Sequence, residues 1–244
     1  MHSTTEQTPV QPRPRLIDYY SVNKGGGLFT EATGQWAGAA IASTAYRLGL
    51  PPTVLTLVNF VIGVGTSVTV ILFAGPIADG RVAAWPVGLL ALLGWQLAYC
   101  FDCADGQLAR ATGQTSPAGA RVDILCDVAI QSALLAALTT TAVAQRPETP
   151  TWLVALFAAS WMTNLVTSAL QSGPAAASMV PSRSPLVRVA KLIRDPGAVF
   201  LVAGAILLLS PASTVWFVVA FTVINGGFLL ASIAFAARRS LSTR

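Results

Sequence analysis

Charge is scarce in this chain. Asp, Glu, Lys and Arg make up 10% of its 244 residues, while 54% are hydrophobic. Soluble domains carry about 25% charged residues. A chain this poor in charge cannot cover itself with water-facing side chains, which excludes an ordinary soluble domain and points to a single domain held in a bilayer. Histidine is nearly absent: the single His2 lies in a polar N-terminal stretch, so histidine is excluded from catalysis and from metal binding in the body of the chain. Cysteine is short as well. Cys100, Cys103 and Cys126 are three thiols, too few for a disulfide framework. Cys100 and Cys103 have a C-x-x-C spacing but lack the complement of four ligands that structural zinc takes. A redox role and small apolar packing remain the two readings of that pair. The first 50 residues lack a short apolar core behind a basic start, so no cleavable signal peptide is expected.

What the chain has instead is apolar runs. A membrane-spanning helix needs about 20 mostly apolar residues. Six stretches qualify as candidates: 54–75, 82–102, 118–143, 151–171, 196–211 and 213–236. The last two are separated only by Ser210–Ser213 and form an expected tight helical hairpin. Residues 1–26 are polar and proline-containing and are expected to be a flexible cytoplasmic tail. Residues 27–238 are then the membrane domain, and 239–244 a short basic tail. Within 27–49 apolar and polar residues alternate at helical spacing. This is either a juxtamembrane amphipathic helix with Trp36 and Tyr46 at headgroup depth, or a helix packed on the bundle. The expected fold class is therefore all-α: an integral membrane bundle of six transmembrane helices preceded by an amphipathic helix.

The basic residues orient it. With both ends inside, all of the 15 Lys and Arg except Arg81 and Arg146 fall on the cytoplasmic side. This spread between apolar blocks accounts for the net charge of +5 without nucleic acid as a partner. It also puts the turn between the second and third spans in the cytoplasm.

Ten residues are acidic. Glu6, Asp18, Glu31, Asp79, Glu148 and Asp195 lie in expected tails or loops, whereas Asp102, Asp105, Asp123 and Asp127 flank that cytoplasmic turn. A carboxylate in or near a bilayer is costly unless paired or metal-bound. With about 3.6 residues per turn, Asp102, Asp105, Gly106 and Ala109 share one stripe of the second span, and Gly119, Asp123 and Asp127 one stripe of the third. Gly113 and Pro117 turn the chain between them, with Ser116 as N-cap and Pro117 at the first helical position. The hairpin should bring four carboxylates face to face, with Gly106 and Gly119 leaving room for a ligand near the backbone. An all-oxygen donor set suits Mg²⁺ or Mn²⁺, and Arg110 adds a fixed charge suited to phosphate. Together they suggest phosphoryl-group chemistry.

The segment Asp102–Asp127 reads D-x-x-D-G-x-x-A-R, eight residues, then G-x-x-x-D-x-x-x-D. This resembles the signature of the CDP-alcohol phosphatidyltransferase family, and Asp102, Asp105, Gly106, Ala109, Arg110, Gly119, Asp123 and Asp127 meet every fixed position. The resemblance implies that Asp102, Asp105, Asp123 and Asp127 hold two divalent ions. It implies that Asp127 also acts as general base on the acceptor hydroxyl. Gly106, Ala109, Arg110, Ser116 and Gly119 would line the donor's CDP moiety. Members often carry a P-N-x-x-T element before the first span. Here it reads PPTVLT, with Thr56 matching and Thr53 standing where Asn or Asp is common. The resemblance further implies transfer from a CDP-alcohol, CDP-diacylglycerol first, to an alcohol or sugar-alcohol phosphate, in a homodimer at the plasma membrane. Arg183, Arg188, Lys191 and Arg194 either bind a phosphorylated acceptor or anchor to anionic lipid. A CDP-inositol-type donor is the alternative within enzymes. A cation transporter with an Asp-lined site is the alternative class, although transporters more naturally place acids at mid-membrane.

Overall fold

The computed structural model describes residues 14–23, 27–170 and 195–242, and these are helical with no strand among them. The elements are α1 (Leu16–Ser21), a π-helical turn (Thr30–Gly34), α2 (Gln35–Arg47), α3 (Pro52–Ala78), α4 (Ala84–Ala111), α5 (Pro117–Gln145), α6 (Thr151–Leu170), α7 (Pro196–Leu209) and α8 (Thr214–Ser242). A short 3₁₀ turn, Pro211–Ser213, joins α7 to α8.

Each of the six apolar stretches contains a helix. Three helices, α3, α4 and α5, together with Pro211–Leu230, are long and apolar enough to cross a membrane. Thr151–Val166 and α7 are shorter apolar helices. The chain is thus a multi-pass membrane protein by length and composition. The outward faces fit that solvent: Val61, Leu72, Leu93, Leu125 and Leu230 are each at least 60% exposed, a pattern suited to lipid rather than water.

The apolar stretch ends near residue 102, and helix α4 carries on through the expected stripe of Asp102, Asp105, Gly106 and Ala109 to Ala111. The polar motif residues keep an unbroken helix because none of them is a proline, and Gly113 at φ 69° ends it two residues later. Within the stretch expected to be a tail, Leu16–Ser21 forms α1, whose Tyr19 is fully buried.

The bundle is organised on α4, which packs against α2, α3 and α7. Its contact with α7 is set by glycine. A Cβ on Gly88 would lie 2.3 Å from Leu208 Cα, and one on Gly204 would lie 2.5 Å from Leu92 Cα. Small residues let the two backbones touch, which is how helices associate where lipid supplies no hydrophobic drive. Trp95 of α4 is fully buried and donates from Nε1 to Ser67 Oγ of α3 at 3.0 Å, satisfying its one polar atom. Helix α6 packs on α8, where Trp161 and Phe221 stack with centroids 4.5 Å apart. Helix α2 lies against α4 through a stripe of Gly38, Ala39, Ala42 and Ala45. Its Trp36 is 43% exposed and stacks on Tyr20 of α1 at 4.1 Å.

Candidate metal and phosphate site

The site grows from the α4–α5 turn. Ser116 has the extended backbone of an N-cap, and its Oγ accepts from Gly119 N at 3.0 Å, with Pro117 opening the helix. Helix α5 therefore starts in a defined direction and runs back along α3, with which it shares an extensive interface. Gly63 of α3 lets Ile130 of α5 approach closely, since a Cβ there would meet Ile130 Cγ2 at 2.8 Å.

That geometry brings Asp102 of α4 together with Asp123 and Asp127 of α5: one carboxylate oxygen from each lies within 4.8 Å of the others. Three anionic oxygens so close repel strongly unless a cation sits among them. Among the described residues no nitrogen or sulfur donor belongs to the group, so it fits a hard divalent ion such as Mg²⁺ or Mn²⁺. The fourth aspartate is placed differently. Asp105 is 5% exposed, and its Oδ2 accepts from Thr56 Oγ1 at 2.6 Å. Its neighbour across the helix interface is thus α3.

Helix α3 contributes a second polar residue. Asn59, 2% exposed, donates from Nδ2 to Asp102 Oδ1 at 3.4 Å. Such contacts orient carboxylates around an ion. Nothing in the motif names Asn59. Its signal was a single amide three positions after Thr56 in an otherwise apolar run, where a polar side chain calls for a partner.

The remaining expected residues fall around this core. Arg110, half-buried, has its guanidinium over Gly106, with Nη1 2.7 Å from where a Cβ would sit. At Gly119 a hypothetical Cβ would meet, among the described residues, Ser116 Oγ at 3.1 Å and nothing else within 4 Å. Ala109 is half-buried on the motif helix, and Ser116 is exposed with its Oγ engaged in the cap. Thr53 is exposed while Thr56 is buried, so of the PPTVLT pair only Thr56 reaches the acids. Arg183, Arg188, Lys191 and Arg194 lie outside the described residues.

Asp195, expected in a loop, stands just before α7 and is 1% exposed. It caps α7 through Gly197 N at 3.0 Å and Ala198 N at 3.4 Å, and accepts from Thr30 N at 2.9 Å as well as from the Thr30 hydroxyl. Thr30 Oγ1 is also 2.8 Å from Tyr99 OH on α4, one turn before Asp102. The Asp-Pro-Gly sequence carried the capping signal, but nothing local pointed to Thr30.

Carboxylates of α4 and α5, gathered beside an arginine in an apolar helical bundle, define a multi-pass membrane protein with an acidic group whose oxygens suit a hard cation. A model of the CDP-alcohol phosphatidyltransferase family matches residues 50–237, and the chain belongs to that family. It is a transferase that moves a phosphatidyl-type group from a CDP-alcohol to an alcohol, in a family that is generally dependent on divalent metal. No curated protein matches the chain.

Proposed function

We propose that this transferase takes CDP-diacylglycerol as donor and an alcohol or sugar-alcohol phosphate as acceptor, and releases CMP at the cytoplasmic face of the plasma membrane in phospholipid synthesis. The observation that carries the proposal is the grouping of Asp102, Asp123 and Asp127 at the α4–α5 hairpin. Asp102, Asp105, Asp123 and Asp127 are the residues that would hold two Mg²⁺ or Mn²⁺ ions, whose chemistry is to neutralise charge on the pyrophosphate and on departing CMP.

The chain's own residues do the rest. Arg110 pairs with a donor phosphate through its forked N–H groups. Gly106 leaves room for the Arg110 guanidinium that meets the phosphate, and Ala109, Gly119 and Ser116 line the nucleotide, with Thr56 and Thr53 as further donor contacts. Asp127 accepts the proton of the acceptor hydroxyl as its oxygen bonds to the donor's alcohol-bearing phosphorus. The phosphorus–oxygen bond to CMP breaks, and CMP leaves with that electron pair. Arg183, Arg188, Lys191 and Arg194 are assigned to the acceptor's phosphate. The same reading has six spans with both ends inside, a juxtamembrane helix at the headgroups, and a homodimer; the distribution of Lys and Arg supports its orientation.

The test is CMP release by purified protein from CDP-diacylglycerol and from CDP-inositol, each with a panel of acceptors and with Mg²⁺ or Mn²⁺. Release from CDP-diacylglycerol alone supports the proposal. Release from CDP-inositol alone replaces the donor. Release from no CDP-alcohol would sink the enzymatic assignment.

A further inference from the structure

Two residues of the motif helix are held by the segment that precedes the bundle. Tyr19 of α1 is buried in one cluster with Ala39 and Ala42 of α2, Leu55 of α3, and Ala104 and Leu108 of α4. Just past α1, the Val22 carbonyl accepts from Arg110 Nε at 2.8 Å. The next residue, Asn23, accepts at Oδ1 from Gln107 Nε2 at 2.7 Å and donates from Nδ2 to Gln35 Oε1 at 2.8 Å. Gln107 Nε2 also donates to the Gln35 carbonyl at 3.0 Å. Gln107 has no exposed surface at all. A buried amide is unfavourable unless bonded; these two bonds satisfy Gln107 Nε2, while Oε1 meets no partner among the described residues.

The arrangement has a consequence for Arg110. A guanidinium carries five N–H donors in a planar fork. With Nε committed to the Val22 carbonyl, the plane is fixed and both Nη groups lie over Gly106. An arginine otherwise free to rotate would lose rotamer freedom on binding an anion, and that loss weakens binding. Here the ordering is done beforehand. Gln107, one turn earlier on the same helix, ties the strap down beside it.

We propose that the strap Leu16–Asn23 is a working part of the donor site: Val22 and Asn23 are positioning residues that pre-set Arg110 for the diphosphate of a CDP-alcohol. The inference rests on the function proposed above. It assigns to an N-terminal segment, outside the matched residues 50–237, a share in binding the nucleotide.

Position 23 offers a graded test in the full-length protein. Asn23→Ala removes the acceptor for Gln107. Asn23→Pro does more: Val22 sits at φ −86°, ψ 11°, a region disfavoured before proline, so its carbonyl turns away from Arg110. Asn23→Asp keeps the acceptor. With CDP-diacylglycerol and Mn²⁺, reading CMP, Asn23→Ala should raise donor KM about threefold to tenfold and Asn23→Pro at least about tenfold, with kcat within about threefold. Acceptor KM should not move. Asn23→Asp keeps the acceptor for Gln107 but loses the donor to Gln35 Oε1, so its donor KM should lie between those of wild type and Asn23→Ala. The thermal stabilisation that CDP-diacylglycerol gives should shrink in the same order. Donor KM within about twofold of wild type for both Asn23→Ala and Asn23→Pro would overturn the inference, as would equal rises for both substrates with a melting temperature lowered by more than about 5 °C. If Asn23→Pro does not fold, Asn23→Ala decides by the same criteria. Wild-type protein that neither releases CMP nor is stabilised by the donor would sink the donor-site assignment itself, and this inference with it.

Discussion

Thr56 of α3 donates a 2.6 Å hydrogen bond to Asp105 of α4, so an aspartate of the signature is held by a helix that the signature does not include. An ionised carboxylate with a fixed hydroxyl donor keeps one oxygen oriented and leaves the other for a ligand. Thr56→Val should therefore raise the Mn²⁺ concentration for half-maximal activity by about 10-fold to 100-fold. Thr56→Ser should restore most of it. A metal titration of CMP release measures both.

Asp127→Asn removes the proposed proton acceptor and leaves a similar shape. Turnover should fall by at least about 10², with unfolding temperature no lower than wild type. Near-normal turnover in that variant would remove Asp127 from the role of base.

The three crowded carboxylates make a prediction about stability without metal. Asp123→Asn takes one negative charge from a group whose oxygens lie within 4.8 Å of one another, so it relieves repulsion. Its melting temperature in EDTA should rise above that of wild type. The rise that Mn²⁺ gives to wild type should shrink or vanish in the variant. Differential scanning fluorimetry with and without Mn²⁺ checks both signs.

Asp195 holds Thr30 and the start of α7 at once. Asp195→Ala leaves those backbone N–H groups without their acceptor in a buried place, which should lower stability by about 1.5–3 kcal/mol. Asp195→Asn should lose less, because its amide oxygen still accepts. Thermal unfolding in detergent separates the two.

The α4–α7 crossing should be intolerant of size. Gly204→Leu puts a branched side chain where even a Cβ would lie 2.5 Å from Leu92 Cα. The helices must part, at about 1–3 kcal/mol or more. Gly226→Leu on α8, where nothing among the described residues lies within 4 Å of a Cβ, should be tolerated. Comparing the folded yield of the two variants by size exclusion in detergent tests this.

Much of the site was legible along the chain because its chemistry is local in sequence. Asp102 and Asp105 lie one turn apart on one helix, Asp123 and Asp127 one turn apart on the next, and Ser116-Pro117 marks where the second begins. Helical periodicity converts such spacing into faces without knowledge of any other element. The cap was expected from its residue types and is present. Hydropathy falls at the polar motif while the backbone helix continues through it, so α4 outruns its apolar stretch.

Composition and spacing by themselves determined a helical membrane bundle, a turn between two acid-bearing helices, and the kind of ion those acids suit, since charge, hydropathy and period are properties of neighbouring residues. Only the tertiary structure decided that Asp105 turns to Thr56, that Asn59 faces Asp102, that Asp195 meets Thr30 across 165 positions, and that Arg110 donates to the Val22 carbonyl. Those contacts join helices far apart in the chain. Their partners are chosen by how glycine and alanine faces let the helices approach, which no single segment encodes.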